Sequence, residues 1–334
     1  MPQFGTGIIP SGQIGTELNY ITRRGFVERL IVQIYQASPT IAMLLSNANL
    51  ASGGVSPVTV PVQGLALTQG GWGDYSGSFP PPQEIAGIYN AEFNMKLLRV
   101  PVGMLGMQAL VQVDETVIAK IEAAMNDASN QAIQLLSQAL FGNFTNAQQI
   151  IGLPGAVDNG TNLVTYGGIS RTANTWWQSL AFAEGAVAPT NVTVLLDMIK
   201  VTAGASGERP TFAVTGPLTW HKLSTSYIPN ERYMVMPQGS YADAPGGARS
   251  AFSALMVGPM PVYWDPYATE GTIYYLNENY ISMYVHQDAF FGFTGFESLI
   301  PNGQIGYLGL LLSLMELVNA KPVSCGVATG YTHS

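Results

Sequence analysis

Residues 114–141 read DETVIAKIEAAMNDASNQAIQLLSQALF, with no Pro and no Gly in a chain that carries 37 Gly and 21 Pro. Asp114 suits an N-cap, Glu115 suits the positive end of the helix dipole, and Gly142 is a natural stop. Apolar or small side chains fall at Val117, Ile121, Ala124, Met125, Ala128, Ala132, Leu135, Leu136 and Ala139, the spacing of one helical face. The spacing predicts one helix over the whole stretch, a rod of roughly 40 Å at about 1.5 Å per residue. Ala124, Ala128 and Ala132 would let a sheet or a neighbouring segment lie close along it. No side chain on it suggests chemistry. The stretch reads as a girder.

Composition narrows what the girder supports. The 334 residues suffice for one large domain or two moderate ones. Charged residues are only 10 % of the chain, against about 25 % in an ordinary soluble domain. Such a chain exposes much apolar or neutral surface if it stands alone, and patches of that kind mark contacts with other chains. This pattern predicts a subunit of a permanent assembly. A membrane span fits poorly, because the longest apolar run, 305–318, contains Glu316 and falls short of about 18 residues. A porin-like barrel would need alternating strands throughout, which the helix at 114–141 interrupts. The net charge of −8 argues against nucleic-acid binding as the main task, since phosphate contacts need clustered Lys and Arg. The one basic cluster is Arg23, Arg24 and Arg29, read either as a solvated helix face or as a contact for phosphates or acidic neighbours. A single cysteine, Cys325, excludes a disulfide framework within the chain and reads as a small buried residue. The first residues lack the basic start and apolar core of a signal peptide, which favours a cytoplasmic origin.

Outward from the girder, the chain falls into distinct pieces. Residues 1–16 read as an extended arm, followed by a helix from Glu17 to Tyr35 that Pro39 breaks, and a short helical piece through Leu45. From Ala51 to Val102 a strand at 57–62, a Gly-, Ser- and Pro-rich loop and a strand within 90–100 make an extended hairpin. Such a hairpin alone is barely stable, so it is expected to lie on a neighbouring subunit, with Trp72, Tyr75 and Phe79 as contact residues. Beyond the girder, YGGISRTANTWW occupies 166–177 and a second helix spans 190–203, burying Val194, Leu195, Met198 and Ile199. A strand at 211–215 leads into a helix begun by Pro217. A polar loop fills 229–250. Strands follow at 254–257, 261–264, 271–276, 280–286 and 306–318, with a terminal strand at 322–328.

Motifs for chemistry are missing. No Lys follows a Gly, so there is no phosphate-binding P-loop, and GxGxxG, HExxH and GxSxG are absent. The three histidines, His221, His286 and His333, are scattered. No catalytic, cofactor-binding or metal-binding residue is assigned, and the chain is read as a non-enzyme.

The order of arm, helix, Gly-rich hairpin, long helix and YGGISRTANTWW resembles the major capsid proteins of tailed bacteriophages, with the Hong Kong 97-like fold. TFAVTGPLTWHKL at 211–223, GPMPV at 258–262 leading to Trp264-Asp265-Pro266, and GTIYYLNENYISMYVH at 271–286 continue the resemblance. The resemblance covers most of the chain through loose patterns, and encapsulins share the fold. It implies an α+β chain with residues 1–50 as N-terminal arm and helix and 51–103 as extended loop. The peripheral domain would comprise 104–175 and 300–334, with 114–141 as spine helix, and the axial domain 176–299. It further implies self-assembly as hexamers and pentamers into an icosahedral virion shell around double-stranded DNA, made in the host cytoplasm and touching DNA weakly and non-specifically. Scaffolding, portal and decoration proteins are the other implied partners, with no cofactor and no membrane. Covalent cross-linking, which some members perform through a Lys near the loop tip, is disfavoured, because 66–90 holds no Lys and Lys96 lies in the returning strand. The N-terminus has no long charged helical block, which points to a scaffold that is separate or not needed. Two other readings stay open. One is an encapsulin-like compartment. The other is a β-rich hydrolase or glycan-binding protein using Trp72 and Tyr75, or Trp176 and Trp177, as a platform.

Overall fold

The structure, a computed structural model, describes residues 38–51, 57–64, 87–105, 114–142, 146–205, 207–226, 255–298 and 306–332, with side chains in the long helix described from Ala124 onward. The expected arm and first helix, the outer part of the hairpin and the 229–250 loop lie outside these residues.

Helix α1, Pro39–Ser46, opens the described chain. Pro39 starts this helix as well as excluding continuation from upstream, since its missing N–H costs nothing at the first helical position. Ser38 caps it by accepting from the Ile41 amide and donates its hydroxyl to Asp265. Strand β1 is Asn49–Ala51, and β2, Val58–Gln63, pairs antiparallel with β3, Ile88–Phe93. The returning strand expected within 90–100 is in fact two. After a break at Asn94 and Met95, β4, Lys96–Leu105, leaves the hairpin and joins another sheet.

Helix α2 spans Asp114–Phe141, the bounds that the sequence predicts. It packs on β4, burying Met125, Ala128, Ala132, Ile133, Leu136 and Leu140. Ala128 and Ala132 bring its backbone close to the sheet, as their size leads one to expect. A short turn, α3 (Leu153–Ala156), and the small ribbon of β5 (Thr165–Tyr166) and β6 (Ile169–Ser170) follow. The rest comprises β7 (Leu180–Ala183), α4 (Asn191–Gly204), β8 (Phe212–Thr215), α5 (Pro217–Thr225), β9 (Leu255–Val257), β10 (Met260–Trp264), β11 (Ile273–Leu276) and β12 (Ile281–His286). Strands β13 (Gly292–Phe293), β14 (Glu297–Ser298), β15 (Gly306–Asn319) and β16 (Gly326–Thr329) complete it. The terminal strand expected at 322–328 is a 3₁₀ turn over Pro322–Ser324 followed by β16, since Pro322 supplies no ladder donor.

Two six-stranded sheets carry the fold. In the first, β15 is the axis: β4 runs along one edge, and β12, β13 and β14 pair in succession along the other. The second sheet has the order β7-β16-β11-β8-β10-β9. Its side chains alternate cleanly, as the pleat requires. Phe212, Val214, Tyr274 and Leu276 face the main core shared with the first sheet and α2. Ala213, Ile273 and Tyr275 face a second core closed by Val194, Met198 and Val201 of α4 and Leu223 of α5. Sheet membership therefore crosses sequence order. Strands β12 to β14 belong with β15, and β16 inserts among strands from 180–276.

Ala132 is fully buried where α2 meets the sheet. Ala132→Leu should cost about 1–3 kcal/mol by overpacking, read as a lowered thermal midpoint, whereas the same change at exposed Asn130 should be nearly silent.

Candidate assembly interface

The residues singled out from sequence as contacts, Trp72, Tyr75 and Phe79, and the basic set Arg23, Arg24 and Arg29, all lie outside the described residues. The structure does describe the root from which the hairpin springs. Val58, Val60, Val62, Tyr89, Ala91 and Phe93 form its inner face and pack into the chain's own core. Thr59, Pro61, Gln63, Ile88, Asn90 and Glu92 form its exposed outer face. The root is thus held by its own subunit.

Aromatic side chains make that hold continuous. Ring centroids lie 5.2 Å apart for Tyr89 and Trp176, 5.6 Å for Trp176 and Trp177, 6.0 Å for Trp177 and Tyr166, and 4.9 Å for Tyr166 and Phe93. Each such contact adds to simple burial by about 0.5–1.5 kcal/mol. Gly64 is needed where the hairpin crosses Trp176, because a Cβ there would stand 2.1 Å from the indole. Gly167 takes φ +59°, under Phe93, and its carbonyl accepts from the Glu92 amide at 3.0 Å. YGGISRTANTWW is therefore the socket of the hairpin. It is not a glycan platform: Trp177 is buried and donates its indole N–H to the Tyr166 carbonyl at 2.9 Å.

Arg171 organises the socket, a role the sequence did not reveal. It is fully buried and its guanidinium donates to the carbonyls of Gly155 (2.7 Å), Ala156 (3.0 Å), Leu163 (3.3 Å) and Trp177 (3.3 Å). Burial works against its charge; Tyr166, 4.6 Å below the guanidinium, and Asp158 at 3.7 Å support it. Asp158 in turn accepts from the amides of Gly160, Asn162 and Leu163. The Tyr166 hydroxyl accepts the Asn319 amide at 2.9 Å, tying the socket to the end of β15. Between the hairpin root and the 320–323 segment runs a crevice of about 660 Å³, lined by Pro61, Gln63, Trp176, Tyr280 and Lys321 among others. Lys321 is paired with Glu208 at 2.9 Å and lies over the Tyr280 ring, so the crevice wall carries no unbalanced charge there.

A second surface lies on α4. Thr190 caps this helix through a reciprocal box with Thr193. Its inner face buries Val194, Met198 and Val201, and Asp197 anchors it by accepting from Lys200 at 2.8 Å and from the hydroxyls of Tyr275 and Tyr331. Ile199, expected in the core, instead points outward. Val192, Leu196 and Ile199 are 65 %, 51 % and 52 % exposed and recur at helical spacing with exposed Ala203. Lys200, the charge beside them, is neutralised by Asp197 and by Glu184 at 3.3 Å. The helix is therefore apolar on two faces, and the single chain covers one of them.

Among the described residues no three His, Cys, Asp or Glu side chains are placed to hold a metal ion. His221 lies on α5 and His286 ends β12, while His333 falls outside the described residues. Cys325 is buried, and burial pushes its thiol up. No described helix is long and apolar enough to cross a membrane.

No protein-family model and no curated protein matches the sequence. Solved structures match the fold. The capsid asymmetric unit of cyanophage A-1(L) aligns with a TM-score of 0.62 at 15 % identity, over 89 % of this chain and 93 % of that one. The capsid of cyanophage Pam1 aligns at 0.52 and 12 % identity, over 85 % and 89 %. An encapsulin complex from Synechococcus elongatus aligns at 0.50 and 10 % identity, over 85 % and 86 %. The chain has the mixed α and β fold of tailed-phage capsid proteins, which the encapsulin shell shares.

Arg171→Met would take the guanidinium from the Gly155, Leu163 and Trp177 carbonyls, leave Ala156 with the Asn319 side-chain amide as donor, and leave Asp158 buried without its cation. A loss of about 3–5 kcal/mol is expected in urea unfolding. Arg171→Lys should recover little of it, because one ammonium cannot span four acceptors.

Proposed function

We propose that this chain is a major capsid protein that assembles as hexamers and pentamers into an icosahedral phage head around double-stranded DNA. The observation that carries the reading is fold similarity to the cyanophage A-1(L) capsid over nearly the whole of both chains. Low charge and the uncovered apolar face of α4 support it, because an apolar helix face of this size is expected to be buried in the working state. In this reading the Hong Kong 97-like parts are an arm at 1–50, an extended loop at 51–103, a peripheral unit with α2 as spine, and an axial unit centred on α4, α5 and the second sheet. Trp72, Tyr75 and Phe79 grip an adjacent subunit, while the socket around Arg171 fixes the angle at which the hairpin departs. The work is mechanical. Many weak contacts, each repeated by symmetry, replace a single strong site. The net charge of −8 leaves the inner surface little hold on phosphate, and Arg23, Arg24 and Arg29 are the residues available for such contact. Scaffolding, portal and decoration proteins are the further partners in this reading, with assembly in the host cytoplasm.

An encapsulin-like shell is the second reading, favoured by the alignment to the Synechococcus elongatus complex. Nuclease-protected DNA in purified particles separates the two, and its absence alongside a protein cargo would favour the compartment. Size-exclusion chromatography with negative-stain imaging tests both together. Particles are expected, and a species of 35.6 kDa alone would exclude a shell. Deleting 70–82 should leave a folded subunit by circular dichroism but abolish closed shells. Leu196→Glu should likewise keep the fold, since that side chain is half exposed in the single chain, and reduce particle yield at least about tenfold. Normal particles from either variant would remove the corresponding contact from the reading.

A further inference from the structure

β15 carries one acid inside the fold. Glu316 is 1 % exposed and sits opposite Tyr284 of β12. Its Oε1 accepts the amide of Ile151 at 2.8 Å. Its Oε2, also buried, has no hydrogen-bond partner. The Ile151 amide belongs to the segment that turns back beneath the end of α2. There Gly152 passes so close to the Ala139 and Leu140 carbonyls that a Cβ would stand 2.4–2.5 Å from them. Beside this segment is a cavity of about 180 Å³ bordered by Lys96, Leu136, Ala139, Gln148, Ile150 and Met315. The segment thus has room to shift, and one half of a carboxyl group holds it to the strand.

Charge on that carboxyl would be poorly served. Lys96 of β4 favours the ionised form, and so does the Leu317 amide, which makes no hydrogen bond of normal geometry with it. Tyr166 of β5 lies within the field of Glu316 and Tyr284 stands across the ladder. Residues 146–152 bring no charged side chain, and Asp127, the one charged residue among the described side chains of α2, faces solvent. Burial outweighs the Ile151 and Leu317 amides and Lys96 and pushes the Glu316 carboxyl up to about 7.

We propose that Glu316 is a proton-operated latch. Protonated, it holds the 146–152 segment and the end of α2 against β15; ionised, it releases them so that water reaches Oε2. Once the segment opens, the carboxyl returns toward its ordinary 4.5. Between about 4.5 and about 7 the docked state therefore keeps a proton that the open state gives up. Docking is strongest at the acid end, weakens as pH rises, and levels off near 7. The proposal stands apart from the shell reading, since it concerns one subunit, free or assembled.

Hydrogen exchange of the full chain, corrected for intrinsic exchange rates, reads the latch at the Ile151 amide. Protection should fall roughly fiftyfold between about pH 5 and about pH 7.5 in the wild type. Glu316→Gln, which keeps the acceptor and cannot ionise, should hold protection constant over that range. If Glu316→Gln does not fold, Lys96→Met serves instead. Losing the cation should move the levelling-off to higher pH. Constant protection in the wild type, a persisting fall in Glu316→Gln, or an unmoved endpoint in Lys96→Met would each overturn the proposal.

Discussion

One strand bears the structure. The ladder of β15 runs from Gly306 opposite Leu105 to Met315 opposite Lys96 on one edge, while β12, β13 and β14 fill the other. It is the longest strand of the described chain, at 14 residues. Helix α2 packs on β4, which that ladder holds in the sheet, and the hairpin departs from β4 through the break at Asn94 and Met95. The Arg171 socket is fastened to the same strand, through Tyr166 and the Asn319 amide. Backbone pairing supplies direction, and apolar burial on one face supplies most of the stabilisation.

Where one physical rule acted alone, the sequence was readable. Residues 114–141 have helical spacing, no breaker and a terminal Gly, and the helix takes those bounds. The hydrophobic runs of β8, β10, β11, β12 and β15 were visible as strands to within a residue or two. Local pattern fails where partners decide. Residues 90–100 read as holding one strand because nothing in their composition marks the transfer from one sheet to another at Asn94. The dipeptide strands β13 and β14 exist only because β15 offers them an edge. On α4, Ile199 has the same chemistry as Met198, and periodicity placed both in the core. Only the packing of Val194, Met198 and Val201 decides which stripe turns inward.

The interface was less legible than the fold. Trp176 and Trp177 are conspicuous in sequence, yet one lies beneath the hairpin and the other is core. Arg171 left no signal, because its partners are backbone carbonyls and a backbone carries no letter in the sequence. A lone arginine between two glycines and two tryptophans is the kind of residue that could have raised the question. Glu316 left a stronger trace, as the one acid in an apolar run. It served to argue against a membrane span, and its burial follows from the same observation.

The second sheet has a consequence for how the chain is made. β16 lies between β7 and β11, pairing parallel with the first and antiparallel with the second. Residues 180–183 therefore have no route into that sheet until 326–329 have been synthesised, about 140 residues later. At typical elongation rates of roughly 5–20 residues per second, that is a delay of many seconds. Tyr331, whose hydroxyl completes the Asp197 anchor of α4, arrives later still. The anchor of α4 is thus completed last, although most of the core beneath the helix, from Ala213 to Tyr275, is synthesised earlier. Until 326–329 arrive, the edge of β11 that β16 covers stands unpaired, the kind of open strand edge that makes an incomplete chain prone to association.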